Sequence, residues 1–498
     1  MLGQLTGKNK FEKGMLTIEI LISFVVFTLC IGAVTLIAFG NQSITVDSEI
    51  TTTALSNTNT ILEEARASSH FDFNLLNSHT STKSIGPITF TKILDVVQKD
   101  FSTKELTSTV FWQSDGRTLF TTQSTIVTNK NADLCYSTLS GDWKNPQIIS
   151  FEFGKDLISD PVNIFPLSDV KVTKDKMFVS IENSSASTLP TFFKFDLSDS
   201  ESPSLLSSLD NAPTLSAGLN AIAINGDYAY VANAYASASS ACIENTNCAQ
   251  LQIINISDPG SMSIAKNIKI PAVTSSGKLA AGTSIFYKNG YVYIGLTKTS
   301  SGSEFNIIDV SDPLNPVYQG GYTVGNAVNA IEVKGNHAYI ATPNSENMTV
   351  LDVSDPSNPT RLGGYTPSGG SNGKSIYTVG NTAYLGRTFG TNEFNILDIS
   401  DKENVSLIAS KDIGTGSQTS INDLLVRDYL AFMITNQKFG IWNVADPANI
   451  YPWTPSNLTS EFTTLVGAGK TLACKENYLY IGSVPTDNKG YLSIITTN

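Results

Sequence analysis

The sequence predicts a multidomain chain: a long N-terminal α-helix, a small antiparallel β head, and then an all-β seven-bladed propeller. Three observations predict it. An apolar run begins at Met15 and extends to Phe39, and its helical recurrence continues beyond Gly40. Short alternating segments follow between Ile85 and Asn129. Seven copies of one aromatic strand pattern then occupy the remaining, larger part of the 498 residues.

The first element opens with Lys13, Gly14, Met15, Leu16, Thr17, Ile18 and Glu19, and Glu19 is the sole charge in the apolar run. A carboxylate in a membrane helix costs about 3 kcal/mol even on lenient insertion scales, so it is retained for a partner. The nearest partner is a new amino terminus at Met15: a cut after Gly14 makes Glu19 the fifth residue, able to neutralise the terminal ammonium of a neighbouring subunit. A secretory signal places its cleavage after an apolar stretch, whereas this glycine precedes one long enough to span a bilayer. With the basic residues Lys8, Lys10 and Lys13 ahead of the glycine, the pattern resembles the type IV prepilin signal. Met15 stands where that family most often has Phe. The resemblance implies a prepilin peptidase that cleaves between Gly14 and Met15 and methylates the new amine, and a filament core in which Glu19 serves assembly. It also implies a single-pass precursor in the inner (cytoplasmic) membrane that later joins an extracellular pilus.

Past Gly40, Ile44, Ile50, Leu55, Ile61, Leu62 and Ala65 keep a helical recurrence without proline. The helix is expected from Met15 to about Ala67, roughly 80 Å at 1.5 Å per residue. Its end, Ile61 to Arg66, looks like the helix end of minor pilins. Alternation over Ile88–Ile93, Leu106–Trp112 and Arg117–Val127 predicts three or four antiparallel strands, with Asp115-Gly116 as a tight hairpin turn. A small sheet on the second half of a long helix is what a pilin head implies.

The seven copies place corresponding aromatics at Phe178, Tyr230, Tyr293, Tyr339, Tyr384, Phe432 and Tyr480, mostly 45–52 residues apart with one longer gap. That period denotes propeller blades. Each copy has a preceding strand, such as Ala221 to Ile224, and a following one, such as Ile307 to Val310. Then comes Ser-Asp-Pro or a variant, with its Asp at Asp199, Asp258, Asp312, Asp355, Asp401 or Asp446. The pattern resembles the LVIVD-repeat β-propeller over about 350 residues. The repeated Asp before Pro is best explained as an Asx turn ending the third strand, and the Tyr-x-Tyr pairs as packing between blades. The seventh copy ends with Tyr491 to Ile495 and has no fourth strand after it, whereas Lys144 to Phe153, before the first copy, has the pattern of one. The two ends of the domain are therefore expected to share a blade, which also protects exposed edges. The resulting boundaries are 1–14 for the leader, 15–67 for a transmembrane and filament-core helix, 68–133 for a pilin-like β head, 134–144 for a linker and 145–498 for the propeller.

Net charge is −12 with 15% charged residues, so no basic stripe exists to neutralise phosphates, and nucleic acid is excluded as a ligand. Three histidines, His70, His79 and His337, and the absence of catalytic or phosphate-binding motifs predict neither an enzyme, a metal site nor a cofactor. Cys242 and Cys248 form a candidate disulfide closing a small loop, worth about 2 kcal/mol, with two unpaired thiols as the other reading. Cys135 and Cys474 have no partner evident in the sequence. The expected function is a minor type IV pilin at the filament tip, displaying the propeller for adhesion to a surface protein or glycan. The alternative is a pseudopilin or assembly scaffold whose propeller contacts other pilus or secretion components. Partners in either case are other pilin subunits, the prepilin peptidase and, before assembly, the inner membrane.

Overall fold

The computed structural model describes residues 12–71, 76–100, 103–114, 116–128, 135, 139–182, 189–210, 218–234, 249–368, 370–388, 390–414, 420–436, 438–453, 468–484 and 489–497. The chain divides into two compact units, Met1–Lys130 and Asn131–Asn498.

In the first unit, helix α1 runs Glu12–Phe71. Strands β1 (His79–Ile85), β2 (Ile88–Asp100), β3 (Thr103–Ser114) and β4 (Arg117–Thr128) form an antiparallel meander in sequence order. The β3–β4 turn pairs Ser114 with Arg117 around Gly116, whose φ of +72° suits glycine. Period decides which residues meet. Ala54, Ile61, Leu62 and Ala65 lie on one helix face, and Leu106, Val110 and Trp112 alternate onto one face of β3. With Phe90, Leu94 and Val127 they form one buried cluster.

The second unit is a ring of seven four-stranded antiparallel sheets. Blades 1 to 6 span residues 167–209, 219–268, 282–322, 330–365, 373–411 and 421–452. The first strands of successive blades contact one another in a closed cycle, which makes them the innermost strands around a central channel. Blade 7 takes its first three strands from residues 468–496 and its fourth, β5 (Gln147–Glu152), from the other end of the unit. Their register runs from Tyr491 opposite Glu152 to Thr496 opposite Gln147, which closes the ring by a shared blade. The marker aromatics pack as the repeat requires: Phe178, Tyr230, Tyr293, Tyr339, Phe432 and Tyr480 are buried, and Tyr230 stacks on Tyr287 of the next blade at 5.3 Å.

Three expectations are corrected. The expected multidomain class with a long N-terminal helix gives way to a mostly β, propeller-like fold, with eight four-stranded sheets against a single α-helix among the described residues. The single-pass inner-membrane precursor is overturned, because among the described residues no helix is long and apolar enough to cross a membrane. Finally, within the expected linker 134–144 the described residues, 135 and 139–144, are held against the propeller. Cys135 is disulfide-bonded to Cys474, the Leu139 amide donates to the Asp428 carboxylate at 2.8 Å, and Trp143 is buried edge-on against Phe432.

That segment also contains a seventh copy of the Asp turn. Asp142 accepts from the Lys144 amide at 3.0 Å and from the Asn145 side chain at 2.7 Å, just ahead of β5. The same geometry recurs in blade 3, where Asp312 accepts from the Leu314 amide and the Asn315 side chain, and in blade 5 at Asp401 and Asn404.

Candidate functional site

At the face where the first strands begin, a single local irregularity is repeated round the ring. The pairing of first with second strand skips one residue in six blades: Ser168, Asn220, Thr283, Lys374, Asn422 and Lys470. Asn329 holds the equivalent place just before the first strand of blade 4. A β-bulge re-aims the side chain of its unpaired residue. Here the result is a polar ring of seven positions at the channel mouth.

In five of these six blades the residue after the bulge fastens its blade to the next. Ser284 Oγ donates to the Val328 carbonyl at 2.9 Å and Ser375 Oγ to the Ile421 carbonyl at 3.0 Å. Asp169 accepts from the Ile222 amide on one side and the Thr471 hydroxyl on the other, at 2.8 and 2.7 Å. Asp423 accepts from the Leu472 amide at 2.8 Å. Opposite three of these positions sit Gly295, Gly386 and Gly482, where an added Cβ would collide with Ser284, Ser375 and Thr471 respectively. These contacts hold the bulges in place. Burial raises the Asp423 carboxyl to about 6, against the opposing pull of Lys171 and the Leu472 amide.

Five ring residues, Asn220, Thr283, Asn329, Lys374 and Asn422, line a cavity of ≈ 290 Å³ together with Pro343, Asn372 and Thr388. Four of these five ring residues spend a donor on the next blade. Asn220 Nδ2 donates to the Gly282 carbonyl at 2.7 Å, Asn329 Nδ2 to Gly373 at 2.7 Å, Asn422 Nδ2 to Gly469 at 2.6 Å and Thr283 Oγ1 to Val328 at 2.6 Å. Among the described residues the amide oxygens of Asn220 and Asn329 accept no hydrogen bond, and that of Asn422 is buried without a partner. The mouth is therefore rich in acceptors, with one amide N–H left on each of Asn220 and Asn329.

Lys374 is its exception. Half-buried, it makes no ion pair or hydrogen bond among the described residues, whereas Lys470, the next lysine of the ring, pairs with Glu182 at 3.1 Å. Burial pushes the Lys374 ammonium below its ordinary pKa, and the charge of Lys470 adds to the effect.

The opposite face carries the Asp turns. Asp199, Asp258, Asp312, Asp355, Asp401 and Asp446 each accept from the backbone N–H two residues on, at 2.8–3.0 Å. Side-chain bonds from Asn315, Ser357 and Asn404 hold Asp312, Asp355 and Asp401 below the usual carboxylate range. The aspartates terminate strands, and no group of three or more His, Cys, Asp or Glu among the described residues is placed to hold a metal ion. His337 is a strand residue paired with Asp352.

Gly14 and Met15 are the third and fourth residues of α1, and Glu19 lies in its second turn. Cys242 and Cys248 fall outside the described residues. The polar ring was missed in the sequence. Its signal is the residue between the first apolar position of each innermost strand and the small or acidic residue that follows, as in Leu219-Asn220-Ala221 and Ile421-Asn422-Asp423.

Among known families, the LVIVD repeat matches residues 220–236, 283–324, 325–366 and 371–412, so LVIVD repeats are present in blades 2 to 5. No curated protein matches the chain. Similar solved structures include the Pan2 WD40 domain of Neurospora crassa, at 9% identity and a TM-score of 0.45, covering 72% of this chain and 97% of that one. A candidate 6-phosphogluconolactonase from Bacteroides uniformis is 10% identical with a TM-score of 0.47, covering 71% and 95%. A functionally unknown protein from Desulfotomaculum acetoxidans is 13% identical with a TM-score of 0.41, covering 72% and 98%. At such scores these likenesses bear on no activity.

Proposed function

We propose that the chain is a filament subunit of the minor type IV pilin kind, placed at the filament tip, whose propeller is a ligand-binding module. The observation that carries the binding half is the mouth cavity, where unsatisfied amide oxygens and an unpaired lysine converge in a space of ≈ 290 Å³. Convergent polar groups in a concavity are the ordinary form of a small-ligand site. The filament half rests on Gly14, Met15 and Glu19, which follow the prepilin pattern. In this reading a prepilin peptidase cuts between Gly14 and Met15, and Glu19 pairs with the new terminal amine of another pilin subunit. The ligand is a glycan or a surface protein.

Amino-terminal sequencing of the mature protein tests the first half: Met15 is the expected first residue, and an intact Met1 contradicts it. Glu19→Ala is expected to leave cleavage intact while reducing co-purification with filaments. An antibody against the propeller is expected to mark filament ends, and uniform labelling along the shaft contradicts the tip placement.

A further inference from the structure

We propose that the channel mouth takes an acidic sugar, a hydroxylated carboxylate the size of one sugar ring, with its carboxylate on Lys374 and its hydroxyls donating to Asn220 and Asn329. This deepens the ligand-binding reading above and rests on it.

The chemistry follows from an inventory of donors and acceptors. Asn422 and Thr283 have spent their donors and offer the cavity oxygen, while Asn220 and Asn329 spend one amide hydrogen each on the next blade and offer an oxygen with one N–H beside it. A ligand that satisfies them must bring donors of its own. Phosphate, rich in acceptors, would meet carbonyl oxygens, and an apolar ligand would leave them unpaired at a cost of about 1–3 kcal/mol each. Meanwhile Lys374 lacks a counter-charge and sits near Lys470, so the site favours one negative charge and repels a second ammonium. The donors must therefore be neutral hydroxyls. Amino acids fail on the charge, neutral sugars leave Lys374 uncompensated, and a hydroxylated carboxylate meets both demands. The cavity lies at the lower end of the roughly 300–1,000 Å³ of small-ligand sites, which suits one ring.

The test is calorimetric titration of the full chain with sodium glucuronate, glucose, inorganic phosphate and a glucuronate-terminated oligosaccharide. Glucuronate is expected to bind at least about tenfold more tightly than glucose or phosphate, the yield of one charge-assisted hydrogen bond. Lys374→Gln should bring it down to the level of glucose, and Lys374→Arg should keep it within about threefold of the parent. Equal or tighter binding of the oligosaccharide assigns the site to a terminal residue of a glycan, and binding of the free acid alone assigns it to a soluble metabolite. Two results overturn the inference: glucuronate no tighter than glucose, or unchanged glucuronate affinity in a Lys374→Gln protein that melts like the parent. If either occurs while Asn329→Ala still abolishes binding to a glycan and protein array, only the sugar class fails. If array binding ignores every mouth substitution, the site reading itself fails.

Discussion

The two faces of the propeller are built from the same seven repeats, yet they are used differently. On the turn face, six aspartates at equivalent positions make the same bond to the same backbone N–H, and the seventh, Asp142, completes the circle from the other end of the unit. On the mouth face, the equivalent positions hold Ser, Asn, Thr, Asn, Lys, Asn and Lys, and the Asn422 amide oxygen is buried without a partner among the described residues. Uniformity marks what each blade needs in order to fold. Variation at a geometrically fixed place marks what the ring as a whole presents. The contrast yields predictions that differ in size.

The largest effect is expected from the closing segment. Deleting residues 139–153 removes Trp143, β5 and Phe153 together, and each buried aromatic alone is worth about 3–5 kcal/mol. Thermal melting should fall by more than about 10 °C or lose its cooperative transition. An unchanged melting curve would mean that the shared blade does not hold the ring.

Next comes the covalent closure of the same ring. Cys135 and Cys474 are 339 residues apart, with Cα atoms at 5.3 Å, and their bond reinforces what the strand pairing already closes. The double serine variant should lose about 2–4 kcal/mol, and reductant should lower the parent to the same level. A parent insensitive to reductant, with no difference from the variant, would break the assignment.

Asp423 gives an effect whose size depends on pH. Its folded carboxyl titrates at about 6, above the unfolded value near 3.9, so the native state binds the proton more tightly. Stability from this group is greatest below the unfolded pKa and declines as pH rises to about 6. The stability of Asp423→Asn relative to the parent should therefore improve by about 2 kcal/mol between pH 4 and pH 6, as read from urea melts. A pH-independent difference would show that desolvation does not govern the group.

The smallest effect belongs to the turn face. Asp312→Ala removes one exposed Asx bond and should cost about 1 kcal/mol, with ligand binding unaffected.

How much of this was legible in sequence follows from the same contrast. The repeats, the shared blade and the Asx turns were readable because they recur: Tyr339 and Tyr384, or Asp312 and Asp355, announce one another at a fixed period. The linker 134–144 was misread because its Asp142 turn lacks the Ser-Asp-Pro spelling and keeps only Asn145-Pro146. The Cys135–Cys474 pair was invisible because closure of the ring, and no local spacing, brings its halves together. The mouth ring escaped because its residue types differ from blade to blade, and the bulges that aim them leave no mark in the hydrophobic alternation. At the N-terminal end the apolar run read as a membrane span, whereas among the described residues no helix is long and apolar enough to cross a membrane.

The central claim is that the mouth binds and the turns only build. It is tested most directly by probing one glycan and protein array with three full-length proteins: the parent, Asn220→Ala/Asn329→Ala, and Asp312→Ala/Asp355→Ala/Asp401→Ala. The account predicts that the mouth variant loses the parent's ligands while melting close to it, and that the turn variant keeps every ligand at lower stability. Retention by the mouth variant with loss by the turn variant would contradict it.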